Sequence, residues 1–340
     1  MDNKQRNSGI ELLRIITMLG VIILHYNSIS SGRAFEYVNQ GSINQVYLFW
    51  IESLFICAVN LFVLISAFFL CTTNKRSPYK IFEFILQLVL IRLLYYFLSL
   101  LMGAQFHVSE LITAALPANY YVILYSALYI ISPYINILID HLDIKHFQRF
   151  LIIIFALFSV WSFGVDLLSP LENINSMSTI GLYGSQRGYT IVNFILIYCI
   201  GAYIKKSGFR LSKICATSGM IICSLLLTVF AFMNQNAWNY NNPLVILLTV
   251  FVFLLFKEIR FQNSMVNELA KASYTCFIIH GYFMSRMGIV KFANRQLIVL
   301  ILHQMLVAIG LYIISYIVYF GYSLTLKKFL VRYIKPCFKE

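Results

Sequence analysis

The chain has 340 residues, of which 60% are hydrophobic and 11% are charged, and its formal net charge is +13 at pH 7. About a quarter of the residues in a soluble domain are charged, so this composition excludes a soluble globular protein. Repeated apolar runs of about 20 residues indicate membrane-spanning helices, because a helix satisfies its own backbone hydrogen bonds inside the bilayer.

We therefore predict an all-α, polytopic integral membrane helix bundle with about ten transmembrane helices and both termini in the cytoplasm. The predicted domain is a single transmembrane domain over residues 1–340, with a core at about 8–320 and a basic cytoplasmic tail at 321–340. The predicted spans are, in chain order, roughly 8–28, 46–70, 80–102, 119–139, 147–165, 189–204, 213–233, 243–256, 272–287 and 297–320.

The distribution of basic residues supports this topology. Most of the 26 Lys and Arg residues lie in predicted inner segments, as the positive-inside rule requires. The predicted outer segments contain Arg33, Arg187, Arg286, Lys291 and Arg295. We interpret the basic excess as a topology signal, and we expect no nucleic-acid partner.

The seven cysteines show no C-x-x-C spacing, and most of them lie inside apolar runs. This pattern is typical of small buried side chains. We therefore expect neither a disulfide framework nor a metal site.

The first span contains the stretch RIITMLGVIILH at residues 14–25. Eleven positions at about 100° each end about 20° past three full turns, so Arg14 and His25 share one helix face, about 16 Å apart along the axis. Glu11, three residues before Arg14, is placed to pair with it. The alternative is structural: Arg14 extends to lipid phosphate, and His25 is an ordinary interfacial residue.

Other polar residues also interrupt the apolar spans, where ionisable groups usually have a function. Arg92 is the most deeply placed charge, and Glu52 or Glu83 is its expected partner; an ion pair and a substrate contact stay equally open. His303 is expected to be a satisfied histidine of the bundle. The remaining candidates are Asn60, Ser66, Gln87, Asn193, His280 and Gln304.

Five stretches follow one another along the chain in a recognisable order. They are the Arg14–His25 spacing, NLFVLISAFFL at 60–70, YYVILYSALYIISPYIN at 120–136, NFILIYCIGAYIKK at 193–206 and LAKASYTCFIIHGYF at 269–283. Together they make the chain similar to the integral-membrane acyltransferase family 3, which includes bacterial enzymes that O-acetylate cell-surface polysaccharides. One stretch departs from the family pattern, because Ser66-Ala67-Phe68 stands where the family has Ser-Gly-Phe or Ser-Gly-Tyr.

The resemblance implies transfer of an acyl group, usually acetyl, from cytoplasmic acyl-CoA to a hydroxyl of a cell-surface or lipid-linked polysaccharide. Acetyl-CoA is then a co-substrate, and no cofactor is bound permanently. The implied location is the plasma membrane, specifically the bacterial cytoplasmic membrane, with membrane lipids as further partners.

This chemistry assigns roles to the candidate residues. A sugar hydroxyl needs a base, and the ordinary pKa of histidine suits His25 to that role. Arg14 offers a planar set of hydrogen-bond donors that suits the anionic acyl-CoA. His280 is a second proton carrier or orients the acceptor. The expected donor- or acceptor-binding residues are Glu11, Ser66, Arg92, Asn60 and Glu52. Direct transfer is favoured over a covalent acyl-enzyme, because no nucleophile elbow or Cys/His pairing is evident.

Two other classes fit the composition. A transporter or flippase of a lipid-linked glycan would also use many spans and buried charges, but it would favour inverted repeats or paired broken helices, which are not evident. The other class is a membrane sensor that uses the same scaffold without catalysis. Loss of Arg14 or His25 would favour it, and the chain has both residues.

The predicted topology is testable by cysteine labelling from outside the cell. A Cys placed at Ser178, in a predicted outer loop, should react, whereas a Cys placed at Ser212, in a predicted inner segment, should not. The reverse labelling pattern would reject the model of ten spans with both ends inside.

Overall fold

The computed structural model describes residues 7–168 and 174–338, and all regular elements in these two ranges are helical. Short 3₁₀- and π-helical turns join several of the α-helices. The α-helices are α1 (Ser8–Asn27), α2 (Ala34–Tyr37), α3 (Ile43–Phe55), α4 (Ala58–Leu70), α5 (Pro78–Leu101), α6 (Val108–Ala115), α7 (Tyr120–Asp140), α8 (Ile144–Phe155), α9 (Ser162–Leu168), α10 (Ile191–Ser207), α11 (Lys213–Met233), α12 (Pro243–Lys257), α13 (Ser264–Leu269), α14 (Ser273–Met284), α15 (Leu297–Leu324) and α16 (Leu326–Phe329).

Eight helical stretches in the described part of the chain are long and apolar enough to cross a membrane. They are Ser8–Asn27, Ile43–Leu70, Pro78–Leu101, Val108–Asp140, Ile144–Leu168, Lys213–Met233, Gln235–Lys257 and Leu297–Cys337. The prediction of an all-helical, multi-pass membrane protein is confirmed. The other two predicted spans, 189–204 and 272–287, correspond to α10 with 17 residues and α14 with 12. A typical span needs about 20 residues, so the count of ten and the orientation of the termini stay predictions.

The helices begin and end where the local sequence favours it. Asn7 caps α1, since its side-chain oxygen accepts a hydrogen bond from the Gly9 amide at 2.9 Å. Pro78 opens α5, a position where a missing amide proton costs nothing. Gly208 follows α10 with a φ of 68°, the left-handed conformation that glycine adopts most easily.

Helix α1 lies inside the bundle and contacts α3, α4, α12, α13, α14 and α15. Its side chains Leu13, Met18, Ile22 and Tyr26 are fully buried. The helix that carries Arg14 and His25 is therefore surrounded by protein along most of its length, and lipid has little access to it.

Helices α4 and α10 pack closely at Gly201. A Cβ at this position would lie 2.7 Å from the Cβ of Ala67 and 2.9 Å from the carbonyl oxygen of Leu64. Small residues allow such close approach between membrane helices. At this contact the glycine lies on α10, and Ala67 lies on the opposite helix.

Gly201→Ala should destabilise the protein by about 1–3 kcal/mol, the usual cost of overpacking a close contact. The matched control is Gly310→Ala in α15, because a Cβ at Gly310 meets no atom of the described residues within 4 Å. The thermal unfolding midpoint in detergent measures both. Equal midpoints for the two variants would contradict the tight contact.

Candidate active site

A central cavity of about 780 Å³ lies between α1, α4, α5, α7, α14 and α15. On α1 its lining extends from Glu11 to Val21, a distance of about 15 Å along the helix axis. Three lysines, Lys80, Lys271 and Lys327, lie at the end of the cavity nearest the start of α1. We call this the basic end of the cavity.

Two of these lysines are paired with carboxylates that also line the cavity. The Nζ atom of Lys271 lies 2.6 Å from a carboxylate oxygen of Glu268, and that of Lys327 lies 3.6 Å from a carboxylate oxygen of Glu83. Lys80 forms no salt bridge with any described residue. The basic end therefore combines fixed ion pairs with a cation whose charge is available to a ligand.

Arg14 lines the cavity beyond the lysines, and its side chain is 32% exposed. One guanidinium nitrogen lies 3.2 Å from a Glu11 oxygen, which confirms the predicted pair. Arg14 donates no other hydrogen bond to a described residue. Because a guanidinium has five N–H groups, most of its donors are free to bind a ligand in the cavity.

Aromatic hydroxyls make up much of the polar wall. Tyr125 donates to Ser66 at 3.1 Å, and Tyr322 donates to Glu83 at 3.1 Å. Ser66 thus lines the cavity, and its role in binding a ligand stays a prediction. Ser66 and Arg14 line the same cavity.

His25 and His280 form a pair, with their ring centroids 4.5 Å apart and their planes at 82°. The Nδ1 atom of His25 lies 2.9 Å from the Val21 carbonyl oxygen, and that of His280 lies 3.0 Å from the Cys276 carbonyl oxygen. A carbonyl oxygen only accepts, so each Nδ1 carries a proton, and in the neutral form of each ring the Nε2 is the acceptor. The Nε2 of His280 is buried and has no hydrogen-bond partner among the described residues.

The histidine pair lies just beyond the end of the cavity that is remote from the lysines. Val21, one turn before His25 on α1, lines that end, and so does Phe277, three residues before His280 on α14. The Phe277 ring is 6.2 Å from the His280 ring. Arg14 therefore lines one part of the cavity, and the histidine pair lies beyond its opposite end, as the separation of Arg14 and His25 on α1 requires.

Arg92, Glu52 and Asn60 are not brought to this site. The prediction that Glu52 or Glu83 pairs with Arg92 is wrong. Arg92 instead donates to the carbonyl oxygen of Thr113 in the last turn of α6 at 2.8 Å, where helix carbonyls lack an internal partner, and to that of Ala118 in the following loop at 2.9 Å. It lines a separate cavity of about 290 Å³.

Glu52 and Asn60 are buried, and each is engaged within the bundle. Glu52 accepts from the Asn27 amide at 2.9 Å. Asn60 donates to the Tyr240 carbonyl oxygen at 2.9 Å and accepts from Asn193 at 3.1 Å. Their proposed roles in binding a substrate have no support from this geometry.

His303 is satisfied within the bundle, as predicted. Its Nδ1 lies 2.9 Å from the Tyr26 hydroxyl oxygen, and its ring stacks on Phe292 with centroids 3.7 Å apart.

Several residues of the cavity were not singled out as site residues from the sequence. The three lysines of the basic end were interpreted as topology signals only, and Tyr125 and Phe277 looked like ordinary span residues. The sequence feature that could have indicated the lysines is their position near the ends of predicted spans. Among the described residues, no group of three or more His, Cys, Asp or Glu side chains is placed to hold a metal ion.

A family model described as an acyltransferase domain matches residues 7–320. The chain is thus an acyltransferase whose catalytic domain is made of membrane-spanning helices. It belongs to acyltransferase family 3. The comparisons with curated proteins and with solved structures found no match.

Proposed function

We propose that this protein moves an acetyl group from cytoplasmic acetyl-CoA to a hydroxyl of a cell-surface or lipid-linked polysaccharide. The observation that carries the proposal is the histidine pair, each with its Nδ1 bonded to a backbone carbonyl oxygen, just beyond the far end of a cavity whose near end is basic. A general base for the acceptor hydroxyl and an anion site for the donor are two of the elements that acyl transfer from a CoA thioester uses.

The donor enters at the basic end, which we assign to the cytoplasmic face. CoA carries several phosphate charges, and Lys80 together with the open donors of Arg14 offers complementary positive charge. A volume of about 780 Å³ is in the range of small-molecule sites. The separation of Arg14 from His25 along α1 suits an extended pantetheine arm, whose thioester then lies near the histidines.

His25 is the proposed general base. Its Nε2 accepts the proton of the sugar hydroxyl as the hydroxyl oxygen attacks the thioester carbonyl carbon, and the C–S bond then breaks to release CoA as the thiolate. The Val21 carbonyl oxygen accepts from Nδ1 throughout, so it stabilises the imidazolium that forms. The proton on Nε2 then passes to the leaving thiolate or to water.

His280 is the proposed supporting group. Its ring edge meets His25, and it orients that ring or carries the proton onward. A covalent acyl-enzyme on Cys276 would use a contact between its thiol and His280. The contact between these two residues is made by the backbone carbonyl of Cys276, which supports direct transfer. No permanently bound cofactor takes part, and the proposed location is the cytoplasmic membrane of a bacterium.

Arg14→Lys should weaken the use of acetyl-CoA although the charge is kept, because lysine lacks the planar fork. The KM for acetyl-CoA should rise more than the KM for the glycan acceptor. Arg149→Lys, an exposed arginine on α8, is the matched control and should leave both unchanged. If acetyl-CoA binding by Arg14→Ala equals that of the wild type, Arg14 does not hold the donor.

His25→Gln should lower acetyl transfer by roughly 10²-fold or more, the usual contribution of a general base. A side-chain amide hydrogen-bonds but does not accept the sugar proton. The measurement is transfer of labelled acetyl from acetyl-CoA to the native glycan by protein in lipid, normalised to folded protein.

The matched control is His141→Gln, since His141 is an exposed histidine at the end of α7. Near-normal transfer by His25→Gln would make His280 the leading base. Glycan movement across the membrane without consumption of acetyl-CoA would instead select a transporter.

A further inference from the structure

The end of the central cavity next to the histidines is formed by apolar and aromatic side chains. Phe62, Tyr121 and Phe277 all line the cavity. The Phe62 and Tyr121 ring centroids are 6.5 Å apart, and those of Tyr121 and Phe277 are 5.2 Å apart. Val21 completes this group, which we call the aromatic end wall.

The position of this wall determines which part of a donor meets it. In the proposed function, on which this inference rests, the CoA phosphates bind at the basic end and the thioester points toward His25. The acyl group is then the part of the donor that reaches the aromatic end wall. Nearer the basic end, Phe84 and Tyr274 stack with their centroids 3.9 Å apart and face the pantetheine arm that all acyl-CoAs share.

Phe277 is the residue of the wall with the most direct effect on acyl size. Its ring centroid lies 5.2 Å from that of Tyr121 and 6.2 Å from that of His280. It also packs against all three buried hydrophobic clusters of the described chain, so little space is open behind it. A longer acyl chain has to displace this ring or withdraw its thioester from the histidines.

We propose that Phe277 sets the acyl-chain length of the donor and restricts the enzyme to short acyl groups such as acetyl. The discrimination is steric and acts between the acyl methyl group and the aromatic end wall. In an apolar pocket each methylene that fits or fails to fit typically changes kcat/KM by about 10- to 200-fold, so one ring is enough to separate acetyl from butyryl donors.

The test is the ratio of kcat/KM for butyryl-CoA to that for acetyl-CoA, measured as CoA released in the presence of the native glycan. We expect a ratio at least about 10-fold above wild type for Phe277→Ala, since a methylene in such a pocket has this effect. Phe277→Leu removes less volume and should give a smaller rise. It also keeps the test valid if the alanine variant fails to fold.

Phe84→Leu is the matched control, because it alters a ring that touches the shared part of the donor. It should change both donors alike and leave the ratio as in the wild type. An unchanged ratio in folded Phe277→Leu, or an equal rise in Phe84→Leu, would overturn this inference alone. A wild-type protein that releases CoA from neither donor would overturn the proposed function and this inference together.

Discussion

Helix α1 fixes the distance between Arg14 and His25, because it runs without interruption from Ser8 to Asn27. The central cavity follows the face of this helix, with Glu11 near one end and Val21 near the other. Neighbouring elements contribute the lysines at the basic end of the cavity and His280 beyond its opposite end. The fold therefore places a guanidinium and a pair of imidazoles at separate positions along one continuous helix.

The local part of this site could be predicted from the sequence, since it depends on helical periodicity alone. Arg14, His25 and Glu11 lie within one helix, so their relative positions follow from about 100° and 1.5 Å per residue. The contact of His25 with His280 could not be predicted in that way. It joins residues 255 positions apart and depends on how α1 and α14 pack.

Arg92 and the lysines show two further limits. The sequence offers carboxylates as partners for an arginine within a span, yet the end of a short helix and the loop after it also offer carbonyl oxygens that need donors. Arg92 takes these instead. Lys80, Lys271 and Lys327 satisfy the positive-inside rule, and that explanation is complete without a ligand. Only their convergence on one cavity indicates a second role, which a linear pattern does not contain.

The two ends of α1 are held differently, and the difference fits the roles proposed for them. Beside His25, the Asn27 side chain donates to Glu52 at 2.9 Å and accepts from Gln304 at 3.0 Å, and Gln304 accepts from Tyr47 at 2.6 Å. Asn27 and Gln304 are fully buried, and satisfied buried networks of this kind fix one arrangement of a core. The last turn of α1 is thereby fixed, so its imidazole is oriented before any substrate arrives. The start of α1 is held at the buried Ser8, whose hydroxyl donates to the Asn267 side chain at 2.8 Å and accepts from the Asn263 amide at 2.9 Å. Arg14 lies beyond these contacts and hydrogen-bonds only to Glu11 among the described residues, so its side chain can adjust to the proposed donor in the cavity.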